Sequence, residues 1–191
     1  MSEEAMLVEE ASTGNMPAFE KLVSLYGKKI FNYCYRMTGN KEDAEDTAQE
    51  VFIKAYRSLN GFKRNSRFST WLYSIAHNAC IDLQRKKKII IVPIEGHDDD
   101  NKNQVKELAS DGLSVEDEVL MTEKKNAVHL AIAKLRPEYR TVVLLREIDG
   151  LSYDEIAGVL NIPIGTVKSY ISRARDELRT SLINEIGKDG K

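Results

Sequence analysis

Between Leu151 and Leu178 the chain reads LSYDEIAGVLNIPIGTVKSYISRARDEL, two short amphipathic helices separated by a break that neither can cross. Ser152 with Glu155 three residues on forms a capping-box signature, opening a helix whose Ile156, Ala157 and Leu160 share one face. NIPIG ends that helix, since proline cannot donate to the helical ladder and glycine favours a turn. From about Thr166, the residues Val167, Ile171, Ala174, Leu178 and Leu182 recur at intervals of three and four, giving one buried stripe. Lys168, Ser169, Ser172, Arg173, Asp176 and Arg179 lie away from it. This arrangement confines the C-terminal end to helix-on-helix packing and leaves the second helix's early polar residues free to enter a major groove, as a helix-turn-helix requires. Lys168 and Arg173 carry donors suited to guanine edges or phosphates, and Ser169 and Ser172 can contact either. An ordinary three-helix packing unit with a solvated basic face is the alternative. Just upstream, Pro137 suits the first turn of a helix over PEYRTVVLLREID, and Gly150 suits its end.

A formal net charge of -2, from 28 basic and 30 acidic residues, is the wrong sign for a chain that seeks polyphosphate. The average conceals an alternation. Residues 28–92 carry 13 basic and 6 acidic side chains and residues 124–191 carry 12 and 9, whereas residues 93–123 carry 2 and 10. The first 27 residues add one Lys and five Glu. The acidic stretch, with Pro93, Gly96 and Gly112, no aromatic residue and no apolar period in its first part, predicts a linker, with a helix resuming near Ser114. It is either a solvated spacer or a run of carboxylates that mimics nucleic acid in a partner's basic channel.

The N-terminal basic block is helical as well. Phe19, Leu22, Val23, Tyr26, Ile30, Phe31 and Cys34 fall at helical intervals, and Gly39 is placed to stop that helix. Asn40 suits the next N-cap, before a helix whose Ala44, Ala48, Val51, Phe52, Ala55 and Leu59 form the inward stripe. Glu45, Asp46, Gln49, Glu50 and Ile53 then point outward, a protein-docking ridge or simply the wet side of a helix. Gly61 and the polar cluster Lys63, Arg64, Asn65 and Ser66 predict a loop. Ser66 or Ser69 can cap the following helix, with Phe68, Leu72, Ile75, Ala76, Ala79 and Leu83 inward and Trp71, Tyr73, His77 and Asn78 on the other side. That helix runs out into Arg85 to Lys88. Aromatic faces, an amide and cations together suit unstacked, single-stranded bases; core aromatics with a basic helix end explain the same residues.

Other classes find little support. No stretch approaches the roughly 20 apolar residues that span a bilayer, and MSEEAMLVEE is no leader, which predicts a cytoplasmic chain. Cys34 and Cys80 lack CxxC spacing and read as buried thiols. His77 and Cys80, three apart on a helix, could share a metal, but no further ligands stand at suitable spacing. There is no phosphate loop and no Ser/His/Asp arrangement, so no catalytic residue and no cofactor is assigned.

Taken together, the two basic blocks resemble a known family. DAEDTAQEVFIKAYRSLNGFKRNSRFSTWLYSIAHNACIDLQRKKK is similar to region 2 of bacterial extracytoplasmic-function sigma factors, and LRPEYRTVVLLREIDGLSYDEIAGVLNIPIGTVKSYISRARDELRTSL to their region 4. The resemblance implies an all-α chain of two small helical domains: region 2 over residues 1–92, an acidic flexible linker over 93–123 and region 4 over 124–191. It implies a subunit that binds RNA polymerase core and gives it promoter specificity for a stress or envelope regulon. Asp46, Gln49, Glu50 and Ile53 would dock on the polymerase clamp helices, with region 4 near the flap. Lys63, Arg64, Asn65, Ser66 and Asn78 would capture a flipped base of the melted minus-ten strand, with Trp71, Tyr73 and Arg85 on the strand-opening helix. Thr166, Lys168, Ser169, Ser172, Arg173 and Arg175 would read the duplex minus-thirty-five element. The linker would thread toward the active-site cleft. Arg64 and Arg67 make the loop more cationic than in many relatives, and Ser172 is small where some carry a bulky residue, so the promoter sequence does not transfer. A membrane-anchored anti-sigma protein is implied as a partner. A free-standing helix-turn-helix regulator and a nucleic-acid-processing enzyme using His77 and Cys80 are the competing readings.

Overall fold

The computed structural model describes residues 2–90 and 127–186, and among them every regular element is helical. In the N-terminal half these are α1 (Glu3–Ser12), α2 (Met16–Thr38), α3 (Lys41–Ser58) with a 3-10 turn at Leu59–Gly61, and α4 (Phe68–Ile90). In the C-terminal half they are α5 (127–134), α6 (Pro137–Val143) with a wider π turn at Leu144–Ile148, α7 (Tyr153–Leu160) and α8 (Ile164–Ile186). The expected resumption of helix near Ser114 lies outside the described residues, as does the acidic linker.

Local chemistry sets most boundaries. The Asn15 side chain accepts from the Ala18 amide and Asn40 from the Asp43 amide, so α2 and α3 both start on satisfied caps. Gly39 ends α2 with φ 72, a left-handed geometry that costs a residue with a Cβ. The Ser152–Glu155 capping box forms in both directions. The Ser152 amide, then its hydroxyl, then Arg67 hold the Glu155 carboxyl below its ordinary range, against the opposing effect of burial.

Three boundaries differ from expectation. α1 was not anticipated; Ser2 caps it, and it buries Leu7, Val8 and Ala11. α4 begins at Phe68 with Arg67 in the capping position, its carbonyl accepting from the Trp71 amide, so neither Ser66 nor Ser69 caps it. α8 begins at Ile164 rather than near Thr166, because the Pro163 carbonyl already accepts from the Thr166 and Val167 amides.

The predicted stripes form the core. Leu22, Ile30, Cys34, Ala44, Val51, Ala55, Leu72 and Ala76 are wholly or almost wholly buried in the N-terminal half, and Val142, Leu144, Leu145, Ile156, Val167 and Ala174 in the C-terminal half. Cys80 is buried beside Cys34, whose contact, followed by burial, pushes its thiol far above the ordinary range.

The two halves pack against each other, mainly α4 on α7, with α2 touching α6. Arg140 donates to the Met37 carbonyl at 3.2 Å, and the Thr141 hydroxyl lies 3.7 Å from the Met37 sulfur. Arg67 pairs with Glu155 at 3.2 Å. The seam is imperfectly satisfied. Thr70 Oγ1 and Arg140 Nε are buried on it without a hydrogen-bond partner, while Tyr73 OH and the Asp149 carboxyl face each other. Each such orphan costs about 1–3 kcal/mol relative to a paired group. Burial raises the Asp149 carboxyl above its ordinary range, opposed by Tyr73 and by the cations Arg36 and Lys29.

Candidate nucleic-acid interface

On α3 the inward stripe leaves Asp46, Gln49, Glu50 and Ile53 exposed on one ridge, with Ile53 at 43% exposure. Lys54 pairs with Glu50 at 2.7 Å one turn away. Between this ridge and α4 runs a shallow groove lined by Asp43, Asp46, Thr47, Glu50, Asp82 and Lys86. Lys87 of α4 reaches Asp43 of α3 across its end. The ridge is therefore exposed, backed by α4 and mostly acidic.

The N-terminal end of α4 and the loop before it carry the first candidate reader. Lys63, Arg64, Asn65 and Ser66 are all exposed. Arg64 sits at φ 56, a left-handed geometry uncommon outside glycine, and pairs with Glu9 of α1 at 3.6 Å. Trp71 is half-buried, its ring 4.9 Å from Phe62 and 5.6 Å from Phe68, so an aromatic wall stands beside the cationic loop. Asn78 is exposed two turns on. Arg85 is exposed and pairs with Asp82 at 3.1 Å.

Tyr73 departs from expectation. It is 2% exposed, edge-on to Tyr33 at 5.5 Å and close to Asp149, so its ring is not offered to a nucleic-acid strand in this arrangement. A single-helix pattern puts it outward because the groups that cover it, Tyr33 of α2 and Asp149, stand far from it in sequence. His77 is also half-buried, with Nδ1 3.3 Å from the Tyr33 hydroxyl, and burial lowers its proton affinity.

The second candidate reader is α8. Lys168, Ser169, Ser172, Arg173 and Arg175 are exposed, and Thr166 is half-buried at the first turn. The Ser169 hydroxyl donates back to the Gly165 carbonyl at 3.0 Å, leaving its lone pairs outward. Arg175 donates to Glu147 Oε1 at 2.7 Å, which ties α8 to the end of α6; this contact, first of all, raises the guanidinium's proton affinity. Glu147 was not anticipated, and no local pattern links residues 28 positions apart. Among the described residues Lys168 and Arg173 have no ion-pair partner, so both are free to meet phosphate or base edges.

Residues 22–89 match the family described as Sigma-70 region 2, and residues 125–178 match Sigma-70, region 4. The chain belongs to the sigma-70 family, in its extracytoplasmic-function (ECF) group. It is 43% identical to the ECF RNA polymerase sigma factor SigW of Bacillus subtilis over 92% of this chain and 94% of that one. It is 36% identical to the ECF RNA polymerase sigma-E factor of Escherichia coli K12 over 91% of each. Among solved structures, CnrH in complex with the cytosolic domain of CnrY superimposes with a TM-score of 0.71 over 96% of this chain and 99% of that one, at 24% identity. The sigma factor RpoE of Bartonella quintana, in complex with the anti-sigma factor NepR, gives 0.67 over 86% and 96%, also at 24%.

As a sigma factor the protein binds RNA polymerase core and directs promoter-specific initiation. The all-α architecture of a region 2 and a region 4 unit agrees with the fold read from sequence. Among the described residues no helix is long and apolar enough to cross a membrane.

Proposed function

We propose that the sigma factor divides its work among three surfaces. The α3 ridge of Asp46, Gln49, Glu50 and Ile53 docks on the polymerase clamp helices. The Lys63–Ser66 loop, Trp71 and Asn78 capture and read a base of the melted minus-ten strand, with Arg85 on the backbone. Lys168, Ser169, Ser172 and Arg173 read the duplex minus-thirty-five element, while Thr166 and Arg175 flank and brace them. The observation that carries this reading is the coexistence of one acidic exposed ridge with two separate cation-bearing faces, each on its own helical half. A chain that read DNA alone would have no use for the ridge. Flipping a base costs a few kcal/mol, which stacking near Trp71 and an amide contact from Asn78 offset.

Residues 1–92 and 124–191 form the two functional units, and the acidic stretch 93–123 follows the path of nucleic acid through the enzyme. The protein works in the cytoplasm, has no enzymatic role of its own, and serves an envelope or stress regulon. An anti-sigma protein anchored in the membrane holds it inactive; the similarity to a sigma factor solved with its anti-sigma partner supports that kind of control. Permanganate footprinting of melted thymines tests the scheme: core plus this chain should open a bubble at the minus-ten element, and Asn78→Ala should shrink it. A bubble unaltered in position and extent by Asn78→Ala contradicts the assignment.

A further inference from the structure

We propose that Glu9 of α1 is a positioning residue for the loop that captures the melted base, acting through Arg64 and touching no nucleic acid itself. The inference rests on the proposed role of Lys63, Arg64, Asn65 and Ser66 at the minus-ten strand. It adds to that role a helix that lies ahead of the residues matched to region 2, 22–89.

The loop is firmly fixed at both ends and weakly held between them. At its entry the Phe62 amide donates to the Leu59 carbonyl at 3.0 Å, and the Phe62 ring packs 4.9 Å from Trp71 and 6.2 Å from Phe68. At its exit the buried Phe68 starts α4. Arg64, between these anchors, sits at φ 56, a left-handed geometry that a residue with a Cβ keeps only when its surroundings hold it there. Among the described residues, its pair with Glu9 at 3.6 Å is the side-chain polar contact that ties residues 63–66 to the rest of the chain; the side chains of Lys63, Asn65 and Ser66 make none.

Helix α1 is seated well enough to serve as that anchor. Leu7, Val8 and Ala11 bury one side of it, it packs on α2, and it reaches the 3-10 turn at Leu59–Gly61 that leads into the loop. Glu9 stays exposed on its outer side. Glu4 of the same helix lies against the Tyr26 hydroxyl, beside Ser69 in the first turn of α4, so α1 borders the loop at its entry and its exit.

The sign of the effect separates positioning from plain electrostatics. A carboxylate near a nucleic-acid strand repels it, so removing the charge alone would strengthen DNA binding. A carboxylate that holds Arg64 in place has the opposite consequence, because without it the loop leaves its reading shape. The test is the rate at which melted thymines become permanganate-reactive with holoenzyme carrying Glu9→Gln. Opening should slow about threefold, within the range of one exposed ion pair, while core affinity is unchanged. The same substitution should have no effect in an Arg64→Gln background, since the group it acts through is gone. Faster or unchanged opening in Glu9→Gln overturns the proposal, as does an equal loss with Arg64→Gln present. A Lys63→Ala, Asn65→Ala variant reports the loop separately. Normal opening there removes the loop's role and Glu9's with it, whereas slow opening there with normal opening in Glu9→Gln refutes the positioning role alone.

Discussion

Arg175 of α8 donates to Glu147 at the end of α6 across 2.7 Å, while Arg173, two residues earlier on the same helix, faces solvent without an ion-pair partner among the described residues. The same helix thus carries one arginine that braces the fold and one that is left unpaired.

This contrast predicts unequal losses. Arg173→Ala should cost on the order of 1–3 kcal/mol at the upstream element if it makes a bidentate base contact. Arg175→Ala removes an exposed ion pair worth about 0–1 kcal/mol and should weaken binding less. Holoenzyme affinity for templates with intact and scrambled upstream elements separates the two effects; equal losses would refute the assignment.

Glu50→Ala should weaken core affinity and leave promoter preference unchanged. Its pairing with Lys54 is an exposed contact between neighbours one turn apart, so its removal leaves the fold intact. Titration of labelled chain into core reads the loss, and competition between two promoters reads the preference.

Ser152→Ala should destabilise the helix-turn-helix by about 0.5–2 kcal/mol, because it frees the Glu155 amide and breaks the reciprocal cap. Denaturant unfolding followed by circular dichroism checks this. The change should appear as a lower midpoint without loss of region 2 structure.

His77 gives the N-terminal half a pH dependence. Burial lowers its proton affinity below the ordinary value of 6.5, so the neutral ring is favoured in the folded state. Its contribution is complete above 6.5 and is lost as pH falls through the depressed folded value. Stability should therefore drop on acidification in that window. His77→Gln should flatten the drop, as read from urea midpoints at several pH values.

The helix boundaries legible in the sequence were those set by neighbours along the chain. Gly39, Asn40, Ser152 and Glu155 act within one turn, and their caps formed as expected. α1 is not legible because three buried residues, Leu7, Val8 and Ala11, make too short a stripe to stand out among glutamates. The burial of Tyr73 is illegible for a different reason. Helical period divides α4 into faces but does not say that Tyr33 of α2 and Asp149 will cover Tyr73, and the Arg140–Met37 contact between the halves joins residues 103 positions apart. The α3 ridge and the polar face of α8 were legible because both are what remains after the apolar stripe is removed, and both are exposed in the structure.

The central claim is that this chain gives a polymerase its promoter address, and transcript mapping with purified components tests it most directly. RNA polymerase core, with and without the chain, is offered fragmented genomic template and the 5′ ends are sequenced. The account predicts transcripts that begin at defined sites only when the chain is present, sharing one upstream and one downstream element, and lost with Arg173→Ala and Asn78→Ala. Start sites that are the same with and without the chain would contradict it.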